Sequence, residues 1–206
     1  MKNGYVCFQL PIDKANKKKA ELTRALVAGT LKKYGYKGWS NKIDRGNDAN
    51  AFYFVVENKE GEIVAATRMI RRIPGSRLPL EQGVKADGSS YSVEGLNERI
   101  ADINSFYHKK GHGRALILLY AAMARYCVYT GVSKAFCMLD IENQKIKKLY
   151  FQAGFKYSER FDEKIYFPTF GRVGKKGLEP TGWTILEMNQ TNILKFALLS
   201  LKYRFV

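Results

Sequence analysis

The sequence is short of several residue types and patterns, and each shortage excludes something. Its 206 residues hold three cysteines, Cys7, Cys127 and Cys137, and two histidines. No cysteine pair has metal-ligand spacing, so neither a disulfide framework nor a metal site is expected. Two of the three sit in apolar runs, Tyr126-Cys127-Val128 and Phe136-Cys137-Met138, which reads as buried thiols in a reducing cytoplasm. Long apolar runs are missing, since none approaches the roughly 18 residues of a membrane span. The apolar part of Met1–Pro11 is too short and interrupted for a signal peptide. Internal repeats and low-complexity tracts are absent. Acidic residues are scarce, 19 against 35 Lys and Arg, which leaves a net charge of +16. Such an excess calls for an anionic partner: nucleic acid, a phosphorylated cofactor, an acidic carrier protein or a membrane surface. A solvated basic surface is the plain alternative.

Apolar residues make up 46% of the chain. That suffices for the core of one domain over residues 1–206. Residues 5–10 alternate as a strand that Pro11 ends. Residues 14–34 carry Leu22, Ala25, Leu26 and Gly29 at helical spacing. These two elements form an N-terminal region over residues 1–50. Residues 52–56 and 62–70 read as a hairpin around Asn58–Gly61. Residues 71–98 show no period and read as a long loop with a short helix near Leu80; loops of this length are functional or mobile. Then follow a strand over 99–107, a helix over 115–130, a strand over 134–141 and a helix over 143–153 closed by Gly154. Strands over 155–161, 163–167 and 183–188 and an apolar helix over 191–203, within a C-terminal region 190–206, complete the chain. The order gives an α/β fold with a mixed sheet.

The sharpest local feature is Lys109-Lys110-Gly111-His112-Gly113-Arg114-Ala115, between a strand and a helix. Glycines let successive backbone N–H groups converge. A helix start offers unpaired N–H groups and a positive dipole end, a setting for phosphate. Lys109, Lys110 and Arg114 add charge. An ordinary strand-to-helix turn is the bland reading. The third glycine of a dinucleotide fold and the Gly-Lys-Ser/Thr of a P-loop are both missing.

About thirty residues on stands Asn143-Gln144-Lys145-Ile146-Lys147-Lys148-Leu149-Tyr150-Phe151-Gln152-Ala153-Gly154-Phe155. The Gly-x-Gly helix start followed by a strand, Asn, Tyr and Gly-Phe at this spacing resembles the GNAT acyltransferase superfamily. The match is tightest over residues 99–157. The resemblance implies a mixed sheet splayed between two parallel strands, here 99–107 and 134–141, with a pantetheine arm lying in the opening. The implied donor is acetyl-CoA, another acyl-CoA or the phosphopantetheine arm of acyl carrier protein, and the acceptor is an amine. It implies donor binding by His108, Lys109, Lys110, Gly111, His112, Gly113, Arg114 and Ala115, and by Asn143 at the pantetheine amide. His108 stands where the family usually has Arg or Gln. Asn143 is equally suited to cap a helix.

The resemblance makes Tyr150 the general acid for the leaving thiolate, acting with an ordinary phenol pKa near 10; packing beside Leu149 is its alternative. Asp102 falls where related enzymes carry a basic Glu, Glu98 is a second candidate, and a structural ion pair is the alternative for Asp102. Residues 14–38, Ala65–Arg68 and Leu78-Pro79-Leu80-Glu81 are also similar to N-acyl amino acid synthases and acyl-homoserine-lactone synthases. That branch implies long acyl chains delivered by an acidic carrier protein, which a basic face would attract. An acetyl-CoA-dependent N-acetyltransferase and a non-catalytic RNA-binding module are the other readings, although no nucleic-acid motif is present. The C-terminal helix is expected either to pack on the sheet or a subunit, or to touch a membrane surface.

Overall fold

Alternating and continuous apolar runs fold into a mixed sheet with helices on both faces. The computed structural model describes residues 4–39, 45–96, 99–174 and 177–201, the side chains of 199 and 200 excepted. In chain order the elements are β1 (Tyr5–Pro11), α1 (Lys17–Lys33), β2 (Tyr36–Lys37), β3 (Ala51–Asn58), β4 (Ile63–Arg71), β5 (Ile100–His108), α2 (Gly113–Thr130) and β6 (Lys134–Leu139). They continue with α3 (Gln144–Gln152), β7 (Lys156–Tyr157), β8 (Gly171–Gly174), β9 (Gly177–Pro180), β10 (Thr184–Asn189) and α4 (Gln190–Ser200). Seven strands form one sheet in the order β1-β3-β4-β5-β6-β10-β7, and β2, β8 and β9 form a second. Among the described residues only β5 and β6 pair in parallel. Among the described residues no helix is long and apolar enough to cross a membrane.

Strand periodicity sends alternate residues to two cores. On one face, Ala101, Ile103, Ala135, Cys137 and Leu186 meet α2, Tyr150 of α3 and Ile193 of α4. On the other, Ile70, Ile100, Phe136 and Ile185 meet Leu78, Leu80, Tyr91 and Val93 from the 71–98 segment, while Ala20 of α1 covers Tyr53, Val55 and Ala66.

Several expectations need correction, but the loop with a short helix near Leu80 is present, and its described part, residues 71–96, packs as a cover on the sheet. Leu78, Leu80 and Val93 are fully buried, and a 3-10 turn spans Pro79–Gln82. The Glu81 carboxylate accepts from the Leu78 amide at 2.9 Å and the Val93 amide at 3.4 Å, tying the segment to itself. Its period is invisible in sequence because its apolar residues serve turns rather than a repeating element. The region 155–161 keeps only β7. Residues 163–167 form single bridges, Ile165 to Trp183, Tyr166 to Val84 and Phe167 to Phe170, instead of a strand. β6 stops at Leu139, because Asp140 and Ile141 already turn toward α3. The second sheet was not anticipated: β2 has two residues and β8 and β9 four each, too short for a period. All three cysteines are free. Burial pushes the Cys7 and Cys127 thiols up to about 12 and that of Cys137 well above its ordinary value, so none is a nucleophile at neutral pH.

Candidate active site

β5 and β6 pair only from Ile100 opposite Lys134 to Ile103 opposite Cys137. Beyond that, β5 runs on to His108 beside β4 alone, and β6 continues beside β10. The cause of the parting lies in β5. Arg68 pairs with Asn104 and Ala66 with Tyr107, so β5 carries one residue more than β4 between those pairs. This is a β-bulge, which bends a strand and increases its twist. Ser105 sits in it at φ +54°, the only non-glycine with positive φ among the described residues. Asn104 fixes the bulge. Its carbonyl accepts from the Thr67 hydroxyl at 3.0 Å, and its side-chain oxygen accepts from Arg68 Nε at 2.9 Å and Ser105 Oγ at 3.1 Å.

The extra residue also breaks the alternation of faces. Asp102 lies on the Leu80 side, whereas Phe106 packs against the α2 side. There Phe106 stands 6.0 Å, centroid to centroid, from the ring of Tyr150. The Tyr150 ring is held edge-on against Phe155 at 5.3 Å. Gly154, at φ +83°, ends α3 and turns the chain so that Phe155 can make this contact. The Tyr-to-Gly-Phe spacing thus places one aromatic ring at the opening. No described residue hydrogen-bonds the Tyr150 hydroxyl. Burial raises its pKa well above the ordinary phenol value, so the expected value near 10 does not hold and the group stays protonated.

Asp102 is fully buried. Its Oδ1 accepts from Asn104 Nδ2 at 2.8 Å, and its Oδ2 has no partner among the described residues. Burial lifts its pKa to about 6 against the opposing pull of Asn104, the Arg68 charge and the Leu80 amide. Asp102 and Tyr150 therefore approach the parted strands from opposite faces of the sheet. Glu98 lies outside the described residues.

The glycine turn opens directly from β5. Gly111 takes φ +94°, and α2 begins at Gly113 without a side-chain cap. A Cβ at Gly111 or Gly113 would meet no atom within 4 Å, so the space in front of the helix start is open. Ala115 is buried in the first turn, and its amide is taken by the His112 carbonyl at 2.9 Å. Lys110 and Arg114 are exposed, with no ion pair among the described residues. Lys109 is differently placed. Its Nζ bridges both Glu62 oxygens at 2.6 and 2.7 Å, which pins the turn to the β3–β4 hairpin. His112 Nδ1 lies 3.1 Å from the Tyr5 hydroxyl. His108 Nε2 is buried without a partner, and burial lowers its pKa, so the ring is neutral near pH 7. Asn143 caps α3 by accepting from the Ile146 amide at 3.3 Å. Among the described residues no three His, Cys, Asp or Glu side chains gather as metal ligands.

Asp102 and Tyr150 thus lie on opposite faces of the sheet near the point where β5 and β6 part, Phe106 is on the Tyr150 side, and α2 starts just beyond the end of β5. Asn104 was missed by sequence reasoning. Its signal is Asn104-Ser105 inside a strand pattern, a pair tolerant of left-handed backbone.

No protein-family model matches the chain, and no curated protein matches it. Solved structures do. An N-acyl amino acid synthase from uncultured soil microbes superposes with a TM-score of 0.62 at 15% identity, over 97% of this chain and 98% of that one. A CoA-dependent acyl-homoserine lactone synthase gives 0.60 at 12% identity, over 98% and 97%. A GNAT-family acetyltransferase from Staphylococcus aureus Mu50 gives 0.53 at 11% identity, over 90% and 99%. At these identities the likeness establishes the fold, which is the GNAT fold.

Proposed function

We propose that this chain is an N-acyltransferase that moves an acyl group from a pantetheine thioester to an amine. One observation carries the reading: two parallel strands part after Ile103 and Cys137 beside a glycine-opened, uncapped helix start. An extended pantetheine arm suits such an opening, because strand backbone groups there have lost their neighbour. Gly111, Gly113 and the first turn of α2 would hold the donor phosphates, with Lys110 and Arg114 supplying charge. Ala115 and His112 shape the turn, and His108 contributes as a neutral ring. Lys109 acts mainly through its tie to Glu62. Asn143 has its side-chain nitrogen left to meet the pantetheine amide.

Tyr150 is our donor for the departing sulfur, and Asp102 our acceptor for the proton the amine loses, so one proton enters and one leaves. A base with pKa near 6 is well matched to work near neutrality. Because Leu80 covers Asp102, we place a bridging water between Oδ2 and the amine. Glu98 is the alternative base. Backbone N–H groups of β5 beyond Ile103 are the natural donors to the carbonyl oxygen.

For the donor we favour a long acyl chain on an acidic carrier protein, with an amino acid as acceptor. The net charge of +16 and full-length likeness to an N-acyl amino acid synthase support this choice. A second reading, acetyl-CoA or another acyl-CoA as donor, has its own support, since one neighbour is named CoA-dependent. Calorimetry with acetyl-CoA and with a long-chain acyl carrier protein, at low and moderate salt, separates them. Carrier binding that weakens with salt supports the first, and tight acetyl-CoA binding alone supports the second. Binding of neither, with salt-sensitive RNA binding instead, overturns the catalytic reading.

A further inference from the structure

Helix α4 has apolar residues on two opposite faces. Ile193 is buried and Phe196 packs against the same core, its ring 6.4 Å from that of Tyr120. Leu194, Leu198 and Leu201 are spaced i, i+4 and i+7 and share the other face. They are 43%, 63% and 75% exposed. The neighbouring end of α2 adds Val128 and Tyr129, the latter 89% exposed. Val128 and Leu194 line the same cavity, of about 260 Å³, between the two helices, so the exposed side chains of the two helices adjoin there.

The charged residues of the two helices have one sign. Lys195 is exposed next to Leu194, and Arg125 is exposed one turn before Tyr129. Neither 113–133 nor 190–201 contains an Asp or Glu. Exposed leucines and a tyrosine flanked by basic residues, with no acid between them, match the chemistry of an anionic lipid interface. A two-fold contact with a second copy would oppose the same basic residues across the interface, with no acidic residue in either helix to pair them.

We propose that the α2–α4 face docks on the anionic surface of a lipid bilayer, inserting Leu194, Leu198, Leu201 and Tyr129 at the headgroup boundary. The test is co-sedimentation of the full chain with vesicles of phosphatidylcholine alone and of phosphatidylcholine mixed with phosphatidylglycerol. Binding is expected to the mixed vesicles, weaker with added salt, and not to the neutral ones. The double variant Leu194→Gln/Leu198→Gln is expected to weaken binding roughly tenfold or more with an unchanged melting midpoint. Leu22→Gln, at an exposed leucine of α1, is expected to change nothing. Parent-like binding by the double variant, or no binding by the parent, overturns the proposal. Sedimentation velocity then decides the successor: a dimer that the double variant dissociates would assign this face to a second copy.

Discussion

Replacing Gly113 by alanine separates folding from donor binding. The glycine is the first residue of α2, its φ lies outside the left-handed range, and a Cβ there would meet no atom within 4 Å. In the free protein alanine therefore fits, and by narrowing the unfolded ensemble it should stabilise by about 0.4–1 kcal/mol. For a chain of this size that raises the melting midpoint by about 1–4 °C. The same methyl group would stand where the donor phosphates approach the backbone. Losing one charge-assisted hydrogen bond costs about 1.5–3 kcal/mol, or about ten- to a hundredfold in Kd. Calorimetry with CoA and a thermal melt read the two effects on one sample. A raised midpoint with unchanged Kd would refute phosphate binding at this turn. A lowered midpoint would refute the open space assigned to it.

Further predictions concern the reacting groups. Tyr150→Phe should lower kcat by about a hundred- to ten-thousandfold with little change in donor Kd, since only a proton donor is lost; unchanged turnover in a steady-state assay would remove Tyr150 from the mechanism. Asp102 has a folded pKa, about 6, above its unfolded value. Its contribution to stability is therefore fully present below about pH 4 and is lost as pH rises through about 6. Asp102→Asn removes this dependence. The stability of the variant relative to the parent should grow between pH 4 and 7 by on the order of 3 kcal/mol, and denaturant melts showing a constant difference would contradict the assigned burial. If Asp102 is the base, kcat/KM should also rise through about pH 6 in the parent and lose that limb in the variant. Lys110→Ala and Arg114→Ala should each weaken CoA binding and flatten its salt dependence, while Lys109→Ala, already paired with Glu62, should do so least. Equal effects at all three in a salt titration would contradict the geometry.

Part of the candidate site's geometry was legible because it rests on local spacing. Gly111 and Gly113 at a strand-to-helix junction, and Tyr150 four residues before Gly154-Phe155, are fixed by one turn and one helix end, and both can be read along the chain. The opening between β5 and β6 came from family resemblance, and its cause, the bulge at Ser105, depends on register against β4. A single strand does not disclose register. Burial was equally hidden. Asp102 and Tyr150 are polar residues in segments of ordinary composition, and their raised pKa values come chiefly from burial, which the fold alone creates. The 71–98 segment was legible as a loop, but its packing was not, because Leu78, Leu80, Tyr91 and Val93 reach the core through turns, without a period that a sequence pattern can register.

The central claim, that a pantetheine thioester lies between β5 and β6 with its phosphates at the start of α2, is tested most directly by amide chemical-shift mapping during titration with acyl-CoA. The account predicts shifts concentrated at Gly111–Ala115, along Asn104–Tyr107 and at Cys137–Leu139. Shifts confined to other elements, or none at saturating acyl-CoA, would contradict it.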